Sequence, residues 1–150
     1  KKTMPSIIAV QSTLMPDSLD VMGWDIMNDG LFVVFSRDIP RIVKDWLKPN
    51  VMDFLQKGRI DLERLDYFIA HPGGKKVLDA YVKALEIPES MTKVSLDVLS
   101  QYGNMSSASI PVAMCEAYDK NLLKQGDTLI LCGFGAGLTW GAAALTWTIE

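Results

Sequence analysis

Residues 129–147 run for 19 positions without a charged side chain, and no other stretch constrains the fold as tightly. Such a length can reach across a bilayer. Its content points elsewhere: Gly133, Gly135, Gly137 and Gly141 interrupt it, and Thr139, Thr146 and Thr148 lie in or beside its second half. Glycine inside an apolar extended pattern marks bends or close backbone approach. Asp127–Cys132 and Thr139–Ile149 are therefore read as two buried strands joined by a glycine-rich turn, and no membrane span is expected.

The rest of the chain supplies partners for those strands. Tyr67-Phe68-Ile69-Ala70 is a continuous apolar run, the pattern of a strand covered on both faces. Ser6–Val10 reads as a short strand. Trp24–Met27 and Leu31–Phe35 flank Asn28-Asp29-Gly30, a hairpin signal resting on positive φ at the turn. A helix capped by Asp38, with Pro40 in its first turn, carries Ile42, Val43, Trp46 and Leu47 on one face. Pro49 should kink or split it before Val51, Phe54 and Leu55. A second helix leaves Gly73-Gly74 with Val77, Leu78, Tyr81 and Leu85 as its apolar stripe, and Pro88 stops it. A short helix covers Met91–Ser100. A long one begins near Ser106, carries Ile110, Met114, Ala117, Tyr118 and Leu122, and ends at Lys124 before a Gly126 cap. The fold class expected is α/β, a layered domain with a mixed sheet ending in an antiparallel strand pair.

The 150 residues, 49% hydrophobic and 22% charged, form one domain over 1–150, long enough to bury roughly 68–70% of the unfolded surface. A net charge of −3 argues against nucleic acid, which demands a concentrated positive face. Two cysteines, Cys115 and Cys132, lie in apolar surroundings without metal-ligand spacing, as free thiols of a reducing cytoplasm do. No metal site is expected. Lys1-Lys2-Thr3 lacks an initiator methionine and precedes no signal-type apolar core, so the chain is expected to start partway along a longer protein.

His71, the sole histidine, ends the predicted Tyr67–Ala70 strand, where ligands bind in α/β sheets. Gly73 and Gly74 let a substrate pass close to the backbone, and the helix start supplies N–H groups. The plainer role is a strand-end histidine bonded to a nearby carbonyl. Asn104 sits in a loop between helices, where asparagine commonly shapes turns. Together, a neutral imidazole and a carboxamide can donate hydrogen bonds to one developing oxyanion. Lys75 and Lys76 could attract phosphates, but cations at a helix start oppose its dipole, and ordinary solvated lysines fit better.

Three separated motifs carry a family resemblance. His71-Pro72-Gly73-Gly74, Tyr102-Gly103-Asn104-Met105-Ser106-Ser107 and Gly133-Phe134-Gly135-Ala136-Gly137-Leu138-Thr139 stand in the order and spacing of the C-terminal half of type III polyketide synthases. These are chalcone-synthase-like condensing enzymes of the thiolase superfamily. The likeness continues upstream through Asp20-Val21-Met22-Gly23-Trp24 and Ser36-Arg37-Asp38-Ile39-Pro40. The related β-ketoacyl-acyl-carrier-protein synthase III group usually continues its histidine motif with Gln-Ala-Asn, and places Tyr-Ala before its asparagine. Ala136 resembles that group, since plant-type polyketide synthases have proline there. The mixture is similar to bacterial alkylpyrone- or alkylresorcinol-type enzymes.

The resemblance implies an acyltransferase with CoA thioesters as substrates and no other cofactor. A cysteine takes an acyl group from an acyl-CoA starter; malonyl-CoA loses CO₂, and the enolate attacks the bound thioester. His71 and Asn104 match the family's histidine and asparagine. Ser106 matches a position bordering the nucleophile, and the loop of Gly133, Phe134 and Gly135 borders the cyclisation pocket. Val33 falls where plant members carry a gatekeeping phenylalanine, which leaves room for an alkyl starter. Trp24 falls on a pocket position that is often glycine. The nucleophile and the main CoA-binding residues belong to the N-terminal half. The resemblance thus implies a chain inactive alone, a partner in its own N-terminal half, a homodimer, and a cytoplasmic location. Two alternatives stay open: a synthase III of fatty acid synthesis, and a non-catalytic partner domain of a condensing enzyme.

Overall fold

The computed structural model describes residues 3–149, without the side chains of residues 3, 4, 39, 40, 43 and 149; Lys1, Lys2 and Glu150 lie outside the described residues. The uncharged run forms two strands, β5 (Thr128–Gly135) and β6 (Thr139–Ile149), paired antiparallel from Thr128↔Thr146 to Gly135↔Thr139. The turn between them takes left-handed backbone at Gly137 (φ 70°) and Leu138 (φ 38°). No helix among the described residues is long and apolar enough to cross a membrane.

β4 (Tyr67–Ala70) pairs parallel with β5, Ala70 opposite Cys132, and β1 (Thr3–Leu14) pairs antiparallel with β6. The sheet order is β1-β6-β5-β4, a mixed sheet as expected. β1, at 12 residues, is more than twice the length of the strand read over Ser6–Val10. Its register with β6 extends from Thr3↔Ile149 to Leu14↔Thr139, and that distant partner stabilises polar positions such as Gln11 and Thr13 as strand. The hairpin of β2 (Met22–Met27) and β3 (Gly30–Phe35) forms a separate two-stranded sheet. Its left-handed residue is Gly30 (φ 133°), while Asn28 and Asp29 keep negative φ.

Period-two alternation divides the core. Phe68, Ala70, Ile130, Cys132, Trp140, Ala142 and Ala144 face one side. There they meet α2 (Lys48–Gly58) through Val51, Phe54 and Leu55, and α3 (Lys75–Leu85) through Val77, Leu78, Tyr81, Ala84 and Leu85. Trp140 is wholly buried, edge-on to Phe54 at 6.0 Å. Ile69, Leu129, Leu145 and Trp147 face the other side, beneath Val94 and Val98 of α4 (Lys93–Tyr102) and Ala113 and Ala117 of α5 (Ser109–Asp119).

Pro49 has the expected effect. A short α1 (Ile39–Ile42) passes through a π-helical turn, Val43–Leu47, before α2 places Pro49 near its start. Proline has no N–H to offer the preceding turn, and the Asn50 amide donates to the Trp46 carbonyl at 2.7 Å. α5 ends at Asp119, short of the expected Lys124. Asn121 adopts φ 52°, its N–H donates to Tyr118 and that of Leu122 to Ala117, the paired bonds of a Schellman cap. Asparagine tolerates left-handed backbone, so it ends the helix before Gly126. Tyr118, still within α5, and Leu122, beyond its end, are both exposed.

Candidate active site

The backbone N–H of His71 donates to the Cys132 carbonyl at 2.7 Å, extending the β4–β5 ladder one residue beyond Ala70. Alternation turns the side chain away from the α2–α3 side and over Gly133. A Cβ on Gly133 would lie 3.1 Å from His71 Cβ and 3.3 Å from Ile110 Cδ1, so close packing requires glycine there. The Gly73 N–H donates to the His71 carbonyl at 2.9 Å, closing a tight turn. A Cβ on Gly73 would fall 3.7 Å from Cδ2 and 3.8 Å from Nε2 of the ring. Gly73 thereby leaves the Nε2 edge uncovered, and nothing lies within 4 Å of a Cβ on Gly74.

His71 is half-buried, and burial pushes its pKa below the ordinary 6.5. The imidazole is neutral at pH 7, with one N–H to donate. Among the described residues no carbonyl accepts from the ring, so the plainer role of a carbonyl-bonded histidine is not what the fold provides.

Asn104 comes from the α4–α5 side of the sheet, the side to which the His71 side chain turns. α4 ends at Tyr102, and Gly103 (φ 76°) turns the chain back with its N–H on the Leu99 carbonyl. Asn104 Oδ1 accepts from the Ser106 N–H at 2.9 Å, and Nδ2 donates to the Gly73 carbonyl at 3.4 Å. With Oδ1 occupied, the amide presents its donors to the His71 turn. Ser106 holds left-handed backbone (φ 56°). The Met105 N–H donates to Oγ of Ser109, a wholly buried side chain.

The other predicted site residues are distributed unevenly. Gly133 and Gly135 belong to β5, a strand where a loop was expected, and only residues 136–138 form the turn. Phe134, expected beside them, points to the opposite face and stacks on Tyr81 at 5.9 Å. Trp24 and Val33 are direct cross-strand partners on the hairpin, 59% and 61% exposed. The hairpin is tied to the β5–β6 turn by the Gly137 N–H on the Met22 carbonyl at 2.7 Å, at the edge of the sheet where His71 emerges. No hydrogen bond or ring contact joins Trp24 or Val33 to His71 or Asn104 among the described residues.

Cys132 is buried among apolar groups, which pushes its thiol up to about 12, the reverse of an activated nucleophile. Cys115 is exposed, contrary to the apolar setting read from its helix. Lys75 is paired with Asp79 at 2.9 Å along the helix surface. Lys76, with Lys44, Lys48 and Lys83, lines a separate groove of about 670 Å³ between α3 and the π-helical turn, away from His71. No three of His, Cys, Asp and Glu cluster as metal ligands among the described residues. Ser109 was missed by sequence reasoning, because a serine opening a helix gives no sign that its hydroxyl faces back to residue 105.

Residues 55–147 match the family model described as 3-oxoacyl-[acyl-carrier-protein (ACP)] synthase III C terminal. A chalcone synthase-like protein of Bacillus subtilis (strain 168) is 39% identical over 146 residues, covering 97% of this chain and 40% of the relative. The structure of 1,3,6,8-tetrahydroxynaphthalene synthase from Streptomyces coelicolor A3(2), a bacterial type III polyketide synthase, superposes with a TM-score of 0.92 at 25% identity, over 100% of this chain and 43% of that one. That of 3-oxoacyl-[acyl-carrier-protein] synthase III from Aquifex aeolicus VF5 gives 0.80 at 25% identity, over 95% and 44%. The chain therefore spans about 40% of the length of the curated relative it matches.

Proposed function

The chain belongs to the 3-oxoacyl-[acyl-carrier-protein] synthase III C-terminal family of the thiolase superfamily, and from that premise we propose that it is the C-terminal catalytic portion of a type III polyketide synthase. The observation that carries this reading is Gly73, whose N–H donates to the His71 backbone carbonyl and whose own carbonyl accepts from Asn104 Nδ2. It ties the His71 turn to the Asn104 loop, which supports a neutral imidazole and a carboxamide acting at one site.

In this reading the substrates are an acyl-CoA, with a fatty acyl starter, and malonyl-CoA; no further cofactor is used. The bond from the malonyl α-carbon to its carboxylate breaks, CO₂ leaves, and the electron pair passes into the thioester as an enolate. The imidazole N–H of His71 and the Nδ2 hydrogen of Asn104 not given to Gly73 hold the enolate oxygen. Removing one such donor costs about 2.7–4 kcal/mol of transition-state stabilisation. The enolate carbon then attacks the acyl thioester on a cysteine supplied from outside this chain, expelling its thiolate. Gly73, Gly74, Gly135 and Ser106 keep the space beside the donors free, Gly133 lets His71 pack down on β5, and Trp24 and Val33 shape the acyl compartment. The chain alone turns nothing over, and the complete enzyme is a cytoplasmic homodimer. The polyketide reading is preferred because the TM-score is 0.92 against the polyketide synthase and 0.80 against the synthase III.

The test is made on the full-length enzyme with acyl-CoA and malonyl-CoA, following CO₂ release and product masses. His71→Ala and Asn104→Ala should each slow decarboxylation by about 10²–10³; parent rates in both would refute the assignment. Malonyl-carrier protein replacing malonyl-CoA as the working extender would favour the fatty-acid alternative.

A further inference from the structure

We infer that Ser109 is a positioning residue, fixing the carboxamide of Asn104 by anchoring the peptide that follows it. This rests on Asn104 being the oxyanion donor proposed above.

The loop from Gly103 to Ser106 is unfavourable by itself. Gly103 sits at φ 76°, Met105 at φ −98° and ψ 21°, and Ser106, which is not glycine, at φ 56°. Non-glycine residues hold left-handed backbone only where surrounding contacts over-determine it. Two contacts do so here. The Asn104 Oδ1 accepts from Ser106 N–H at 2.9 Å, and Ser109 Oγ accepts from Met105 N–H at 3.0 Å.

These two contacts differ in setting. Asn104 is exposed, and water competes for its amide. Ser109 is wholly buried at the start of α5, so its hydroxyl is a fixed acceptor shielded from water. α5 is itself locked onto the sheet by Ala113 and Ala117, both at 0% exposure. The rigidity of the core is thus conveyed through one hydroxyl to the Met105 peptide. That peptide in turn sets where the Ser106 N–H meets Oδ1. With Oδ1 held, Nδ2 faces the His71 turn. Without the hydroxyl, the Met105 N–H loses its partner, the loop relaxes toward ordinary backbone, and the amide can rotate off the oxyanion position.

A double-mutant cycle in the full-length enzyme tests this, with malonyl-CoA decarboxylation as the readout. Ser109→Ala should lower kcat about tenfold with KM within about twofold. In an Asn104→Ala background the same change should have no further effect, because there is no amide left to misplace. A general packing defect would lower the rate equally in both backgrounds. An undiminished kcat in Ser109→Ala, or a second tenfold loss in the Asn104→Ala background, overturns the inference. If Asn104→Ala itself keeps the parent rate, the donor reading falls and the inference with it, a result distinguishable from the other two. Should Ser109→Ala fail to fold, Ser109→Cys fills the same site with a weaker acceptor and carries the same cycle.

Discussion

Asn104 Nδ2 donates to the carbonyl of Gly73 at 3.4 Å, across 31 residues of sequence. The Gly73 N–H donates to the His71 backbone carbonyl at 2.9 Å. Gly73 therefore links the turn that carries His71 to the loop that carries Asn104 through the two peptide groups flanking it, and α3 starts two residues on, at Lys75. A site of this kind is set by backbone geometry more than by the side chains it displays.

The half-buried imidazole gives a signed pH dependence. With its pKa below 6.5 in the folded protein, the folded state refuses a proton that the unfolded chain accepts. Stability is fully present above about pH 6.5 and falls as pH drops toward the folded value, levelling off beneath it. Decarboxylation should keep its neutral donor to a pH below 6.5, and chemical denaturation of His71→Gln should show a flatter pH profile across that window. An acid limb centred above 6.5 would contradict the burial argument.

Gly133 and Gly73 both adjoin His71 but should respond oppositely to alanine. At Gly133 the methyl meets His71 Cβ at 3.1 Å and Ile110 at 3.3 Å, and overpacking of this kind costs about 1–3 kcal/mol. At Gly73 the distance is an ordinary 3.7 Å, and φ is outside the left-handed region. Gly73→Ala should stabilise by about 0.4–1 kcal/mol through the unfolded chain, yet slow the reaction by shielding the ring. Thermal midpoints and decarboxylation rates, measured together, separate the two.

The Cys132 thiol, pushed up to about 12, should resist iodoacetamide. At pH 8 its thiolate fraction is only about one in 10⁴. Peptide mass spectrometry should find Cys132 unlabelled in the native full-length protein and labelled after denaturation. Native labelling would mean that β5 opens locally.

Tyr81 tests the core beneath the site. Its hydroxyl is buried and, with Trp140 Nε1, has no conventional hydrogen-bond partner among the described residues; only the weakly accepting Cys132 thiol faces both groups. Tyr81→Phe keeps the ring contacts with Phe68 at 5.2 Å and Phe134 at 5.9 Å. It should leave stability unchanged or raise it by up to about 1 kcal/mol. A clear loss would show that the hydroxyl is bonded, to the Cys132 thiol or to Trp140 Nε1.

Much was legible in one dimension because it depends on local periodicity. Tyr67–Ala70 is a strand over the expected residues, and Val77, Leu78, Tyr81 and Leu85 are all buried on α3. Asn28-Asp29 marks the hairpin, and Pro49 breaks the helix. His71 and Asn104 stood out because a strand end and an inter-helix loop are where chemistry has room. The misread features depend on distant partners: the full length of β1 comes from β6, and the burial of Phe134 against Tyr81 comes from which face of β5 it occupies.

The sequence by itself determined which elements form, and it singled out His71 and Asn104 as candidate oxyanion donors, since each follows from side chains within a few positions of one another. Only the tertiary structure decided that Gly73 joins those residues, that Gly133 must be glycine, that Trp24 faces Val33, and that Ser109 reaches back to Met105. Each of these is a contact, and contacts are set by the register and packing of elements whose side chains meet only after the chain has folded.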